Sequence, residues 1–356
     1  MSLLQELSYV EYKNACALSK DLCDVAAKLA NFELNCTSER SPGEQLVKFL
    51  DRKGFSVQQY LQLLATAKNV KTTYYRPQSK VAVLIANEKY EYLSKLVTPS
   101  IDCEGLAANL KELGFITITI KNTFSEDLKN VLATVFSRIP ENSYCFIFYA
   151  GHGCELCNTK CILSIDCPVQ DIEMDHCVTE NWILREVSKC KPELCILILD
   201  MCRMFLDRNT NLPIFAAVPF IEDYTIHSNL LIGYSAESSQ AAYEVLQIEC
   251  STASLNDISY EMKPGYSARI VEGGSQYVTA LCGRLMENVD VSTLLDKVHA
   301  DVENSFRKQR PIKVQCGVSK RSLFDPAKGD VREVYSNLKE VSERLKKCCS
   351  IEPMDF

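Results

Sequence analysis

The chain has 356 residues, about twice the roughly 150 of a typical domain, which excludes disulfide-stapled miniproteins and leaves room for a large core. Hydrophobic residues make up 47% and charged residues 24%, with only 13 Gly and 12 Pro, so collagen-like and disordered chains are excluded as well. A net charge of −7 offers no broad cationic surface for phosphates, and nucleic acid is not an expected partner.

The N-terminus, MSLLQELSYVEYK, has no basic segment followed by an uninterrupted apolar run, because Glu6 and Glu11 break it early; it does not read as a signal peptide. The longest apolar runs, such as VAVLIA from Val81 and CILIL from Cys195, are strand-sized and too short to cross a bilayer. A cytoplasmic location with no membrane partner is expected, and there the 18 cysteines are mostly reduced thiols packing as small hydrophobes.

From Glu6 to about Ala67, apolar residues recur three and four apart, the spacing of a small helical bundle. Ser41 with Pro42 next and Glu44 three residues on predicts a helix start with a capping box. Between Lys68 and Lys80 the periodicity fades and a Pro-containing turn follows. A helical module over 1–72 and a linker over 73–79 are expected.

Beyond the linker, strand-like runs alternate with amphipathic helices. VAVLIAN (Val81 to Asn87), FITITI, YCFIFYAG, CILILD, NLLIGYS and IKVQCG read as strands, and CILSIDCP from Cys161 as another. DCEGLAANLKELG reads as a helix stopped by Gly114, SEDLKNVLATVFSRI as one entered through Ser125, with further helices near NWILREVSK, SQYVTALCGRLMENV and from Val291 to about Lys308. Such alternation predicts an α/β domain over 80–327, a mostly parallel sheet with helices on both faces, and a C-terminal helix or tail over 328–356. A long loop is expected from Ile248 to Gly274.

In open parallel sheets, ligands bind beyond the carboxyl ends of the strands. Gly151-His152-Gly153 follows one strand there and Asp200-Met201-Cys202-Arg203 another, with 50 residues from His152 to Cys202, the spacing known for caspases. An imidazole can take a thiol's proton, stabilise the thiolate and later protonate a leaving amine, while backbone N–H groups at Gly153 and Cys202 are candidates for stabilising the oxyanion. The plainer alternative is a turn histidine and a packed thiol. Asp200 lies two residues before Cys202, so in a strand it shares its face. It either caps the following turn or awaits a cationic substrate side chain, Lys or Arg, that offsets its effect on the thiol. Cys154, Cys157, Cys161 and Cys167 with His152 form a weaker candidate zinc set, without paired CxxC motifs; Cys348 and Cys349 suggest no chemistry.

FYAGHG (Phe148 to Gly153), LSIDCP (Leu163 to Pro168) and LILDMCR (Leu197 to Arg203) resemble the paracaspases, the animal MALT-type branch of the caspase-like cysteine proteases. KVAVLIANEKY with SIDCEGLAANLKELGF resembles that family's first strand and helix, and LIGYSAESSQAAYEVLQ its segment after the nucleophile. Met201-Cys202-Arg203-Met204 fits neither the QAC-type motif of caspases nor the His-Ser-Gly that follows the metacaspase nucleophile. The resemblance implies a His152–Cys202 dyad and an arginine-binding pocket of Asp102, Asp200 and Glu244. The helical segment is more weakly similar to the family's death domain, at VKFLDRKGFSVQQYLQLLATA. The immunoglobulin-like modules of the family do not separate helical segment and first strand here, so functions tied to them are not carried over.

These readings together predict a cysteine endopeptidase cleaving protein substrates after arginine. It would need no metal or cofactor and act in intracellular signalling of the NF-kappa-B kind. Homodimerisation through the edge near IKVQCG and death-domain-type adaptor partners would activate it. The alternatives are a catalytically weak or inactive signalling scaffold and the zinc module. Arg269, in the long loop, is a candidate self-processing site.

Overall fold

A computed structural model describes the chain apart from residues 1, 36, 70–74, 157–158, 202–203, 218–227, 238–243, 251–267, 306–308, 319, 346–349 and 352–356. Two compact units emerge, Met1–Tyr74 and Tyr75–Phe356.

The first unit holds helices α1 (Leu3–Glu6), α2 (Tyr9–Cys16), α3 (Lys20–Leu29), α4 (Pro42–Arg52) and α5 (Val57–Asn69). Their apolar stripes meet in a core that includes Leu3, Ala26, Leu46, Val47, Leu50 and Tyr60. The expected start of α4 is present in half: Ser41 Oγ accepts from Glu44 N at 3.2 Å. Glu44 does not complete the box; its carboxylate takes the Lys48 ammonium at 2.7 Å, one turn along the helix.

The second unit runs, in chain order, through β1 (Lys80–Ala86), α6 (Pro99–Glu112), β2 (Ile116–Lys121), α7 (Ser125–Phe136), β3 (Tyr144–Ala150), β4 (Gly153–Leu156), β5 (Thr159–Leu163) and β6 (Cys177–Thr179). It continues through α8 (Glu180–Ser188), β7 (Leu194–Asp200), β8 (Met204–Phe205), α9 (Leu212–Ala217), β9 (Leu230–Tyr234), β10 (Glu244–Cys250) and β11 (Ala268–Ser275). Helices α10 (Gln276–Leu285) and α11 (Val291–Ser305), β12 (Ile312–Cys316), α12 (Val331–Leu345) and β13 (Ser350–Ile351) complete it.

Seven strands form the main sheet in the order β12-β9-β7-β3-β1-β2-β13. The five inner strands are parallel, and β12 and β13 run antiparallel at the edges. Side-chain alternation divides β1 between two cores. Val81, Val83 and Ile85 pack with α7, α8 and α12 on one face; Ala82, Leu84 and Ala86 pack with α6, α10 and α11 on the other. Continuous burial of β1, β3 and β7 explains why these strands read as unbroken apolar runs. A smaller sheet, β6-β5-β4-β8, covers its own core of Leu156, Leu163, Ile172 and Ile214.

Helix α6 stops as expected. Gly114, at φ +81°, donates to Lys111 O while Phe115 donates to Leu110 O, a Schellman closure. Three expectations need correction. Ser125 is the first residue of α7 rather than its cap, and Asp166, from a distant loop, accepts from its N–H and hydroxyl at 2.9 and 2.7 Å. The strand expected over CILSIDCP ends at Leu163. The loop expected from Ile248 to Gly274 is replaced in part by a hairpin, β10 pairing antiparallel with β11 from Glu244↔Ser275 to Cys250↔Ala268. Arg269 is thus a strand residue opposite Glu249, while Lys263 lies outside the described residues. So do Cys348 and Cys349.

Candidate active site

His152 leaves the carboxyl end of β3 through Gly151, and its main chain is gripped from both sides. Its N–H donates to Tyr90 Oη at 2.7 Å, and Tyr149 Oη donates to its carbonyl at 2.6 Å. The two tyrosine hydroxyls meet at 3.1 Å, and both rings are buried. Burial pushes both phenols above their ordinary range, so they remain protonated donors. A Cβ on Gly151 would meet Tyr149 Oη at 2.5 Å and Tyr90 Oη at 2.7 Å, so only glycine fits between histidine and clamp. The imidazole lies 4.5 Å from the Tyr90 ring centroid, and its Nε2 is 2.7 Å from Ser94 O and 3.2 Å from Ser94 Oγ. A carbonyl can only accept, so Nε2 carries a proton and Nδ1 is the nitrogen left to exchange one. The sequence gives no sign of Ser94, because a main-chain oxygen does the work and any residue could supply it.

Cys202 and Arg203 lie outside the described residues, but their neighbours are in register with those of His152. Ala150 pairs with Asp200 in the main sheet, and Cys154 pairs with Met204 where β4 and β8 run parallel. Positions 152 and 202 are therefore bracketed by paired residues two steps away on either side. Between the brackets, the Met201 thioether packs so tightly on Gly153 that a Cβ there would collide with Met201 Sδ.

The turn of chain where β11 enters α10 meets Asp102 by a hydrogen bond and the Glu244 main chain by strand register. Asp102, in the first turn of α6, is 4% exposed, and its two oxygens accept the Ser275 N–H at 3.0 and 3.2 Å. Glu244 stands opposite Ser275 in the hairpin register. Asp200, 6% exposed at the end of β7, is near enough to Tyr277 that, after burial, its charge is the second cause raising that phenol. The Tyr277 hydroxyl meets His299 Nε2 at 3.1 Å beneath this turn.

The described thiols near His152, Cys154, Cys161 and Cys167, are buried in the small core. Cys154 and Cys161 face each other across β4 and β5, and hydrogen bonding with Cys154 and then Cys177, together with burial, holds the Cys161 thiol well above its ordinary range. Among the described residues, no group of three or more His, Cys, Asp and Glu side chains is arranged to hold a metal ion. The His152 ring is turned to Ser94 instead, and Cys157 lies outside the described residues. Among the same residues, no helix is long and apolar enough to cross a membrane.

Residues 79–322 match the family model described as the caspase domain. Among curated proteins, the chain is 24% identical over 255 residues to mucosa-associated lymphoid tissue lymphoma translocation protein 1 of Homo sapiens and, equally, to its homolog in Mus musculus. Each alignment takes in 71% of this chain and 27% of the relative, so the chain spans about a quarter of those proteins. Among solved structures, caspase-1 of Spodoptera frugiperda superposes with a TM-score of 0.50 at 15% identity, over 72% of this chain and 96% of that one.

Proposed function

The chain belongs to the caspase family, and from that premise we propose that it is a paracaspase-like cysteine endopeptidase cleaving protein substrates after arginine, a reading supported by the similarity to the mammalian relatives. The observation that carries the reading is the double register: Ala150↔Asp200 and Cys154↔Met204 bracket His152 and Cys202 alike. With Nε2 engaged by Ser94 O, Nδ1 takes the Cys202 thiol proton as sulfur adds to the scissile carbonyl. The N–H groups of Gly153 and Cys202 receive the oxyanion. His152 returns the proton to the departing amine, leaving an S-acyl enzyme that water hydrolyses. No metal or cofactor enters this sequence.

Asp102, Asp200 and Glu244 form the pocket for the arginine preceding the scissile bond, where a planar guanidinium fork matches several carboxylates. Activation comes from pairing of two protease units along β12, an edge strand on which Val314 is 44% exposed. The five-helix unit, read as a death-domain-like assembly module for an adaptor in cytoplasmic signalling, raises the local concentration that favours this pairing.

The test is an assay of the full chain at high protein concentration on matched peptides ending in Arg, Lys or Asp. Turnover is expected after Arg and absent in Cys202→Ala. Failure of wild type to cleave after Arg, or cleavage that survives Cys202→Ala, refutes the reading.

A further inference from the structure

We infer that the main-chain amide of Ser275 is a specificity-positioning group: it aims the Asp102 carboxylate at the substrate's arginine and makes that pocket depend on the seating of the β10–β11 hairpin. The inference rests on the proposed role of Asp102 in arginine binding and adds what controls it.

A carboxylate as buried as Asp102 needs donors. One of them is the Ser275 N–H, forked between both oxygens at 3.0 and 3.2 Å across 173 residues of sequence. A carboxylate offers about four acceptor positions, and an amide shared between both oxygens constrains its orientation. The approach is tight: a Cβ on Gly274 would lie 3.2 Å from Asp102 Oδ1. Ser275 is also the point where three pieces of structure meet. It ends β11, its hydroxyl caps α10 by accepting from Val278 N at 3.0 Å, and it stands opposite Glu244 on β10. Withdrawal of the hairpin therefore carries off the main chain at Glu244 and misaims Asp102 in one movement. Arginine binding and hairpin seating favour each other through this shared residue, as linkage requires.

The backbone of Ser275, at φ −73° and ψ 147°, allows a direct test, because proline adopts these angles and has no N–H. Ser275→Pro removes both the amide donor and the hydroxyl cap; Ser275→Ala removes the cap alone. In the full chain, the KM for an Arg peptide is expected to rise about tenfold more in Ser275→Pro than in Ser275→Ala, the scale of one hydrogen bond to a charged group. The two variants should differ little in kcat. The preference for Arg over Lys should fall in Ser275→Pro, since a planar fork is more sensitive to carboxylate orientation than an ammonium. Gly274→Ala crowds the same carboxylate and should raise KM in the same direction; it carries the test if Ser275→Pro does not fold. Equal KM values for the Pro and Ala variants, or an unchanged KM in Gly274→Ala, overturn the role of the amide while leaving arginine specificity standing. Absence of Arg cleavage by wild type overturns both.

Discussion

His152 and Asp102 are held by opposite means. Side chains reach the main chain of the histidine, with Tyr90 and Tyr149 on its N–H and carbonyl, whereas a main-chain amide reaches the side chain of the aspartate. The histidine side draws on β1, β3 and their loops, strands paired in the centre of the main sheet. The carboxylate side draws on α6, the end of β7, a two-stranded hairpin and the start of α10, segments far apart in sequence. Rigid elements suit a group that must move a proton over a hydrogen-bond distance. The proposed pocket, assembled from separate segments, would suit recognition that is to be switched, because one of its parts could be withdrawn while the proposed base stays in place.

The sharpest way to break this division is to remove one group from each side. His152→Ala should lower kcat by about 10²–10⁴-fold, the usual loss on deleting a general base, whatever residue precedes the scissile bond. Asp102→Asn should act on KM and selectively, weakening Arg peptides by roughly tenfold or more, as loss of a charge-assisted hydrogen bond does. Steady-state kinetics on both variants check this, and a kcat loss in Asp102→Asn as large as that in His152→Ala would erase the distinction.

Tyr149→Phe probes the clamp with a smaller effect. It deletes one of the two donors to His152 O, leaving the Leu163 N–H as the other, at a cost of about 1 kcal/mol. Because the clamp sets where the imidazole sits, kcat should fall about five- to tenfold with KM nearly unchanged, on the scale of 1.4 kcal/mol per factor of ten. A fall in melting temperature with kinetics intact would show that the tyrosine serves the fold alone.

The histidine side was also the more legible in sequence. Phe146 to Gly153 combines a buried strand with a Gly-flanked histidine, features set by local steric and hydrophobic patterning. The buried strands β1, β2, β3, β7 and β9 announce themselves for the same reason. The small-sheet strands β4, β6 and β8 are two to four residues long, too short for periodicity to register. The hairpin escaped because its strands are separated by residues 251–267, without a tight-turn signature to link them. Ser94 and Ser275 act through main-chain atoms, which leave no trace in residue identity. Asp102 could be named only by family resemblance, since nothing local distinguishes a functional first-turn aspartate from one that complements the helix dipole.

The last effect to be measured is one of pH, and it too separates the two sides. His299 lies under the carboxylate side, hydrogen-bonded to Tyr277, and burial, with Lys313 adding to it against Asp296, lowers its pKa from 6.5 to about 4. The folded unit therefore refuses a proton that the unfolded chain accepts below 6.5. The stabilisation is fully present above that pH and is lost progressively as pH falls toward 4, by roughly 3 kcal/mol in all at 1.36 kcal/mol per pKa unit. The single tryptophan of the chain, Trp182, packs against the core of the second unit, so its fluorescence in urea reports that unit selectively. Between pH 7 and 4.5, His299→Gln, which keeps a polar partner for Tyr277, should lose less stability than wild type by about 2 kcal/mol. Parallel losses in the two proteins would mean that His299 is not held neutral. A flatter profile in the variant would locate part of the acid sensitivity beneath the residues proposed to recognise arginine, with the His152 clamp outside its reach.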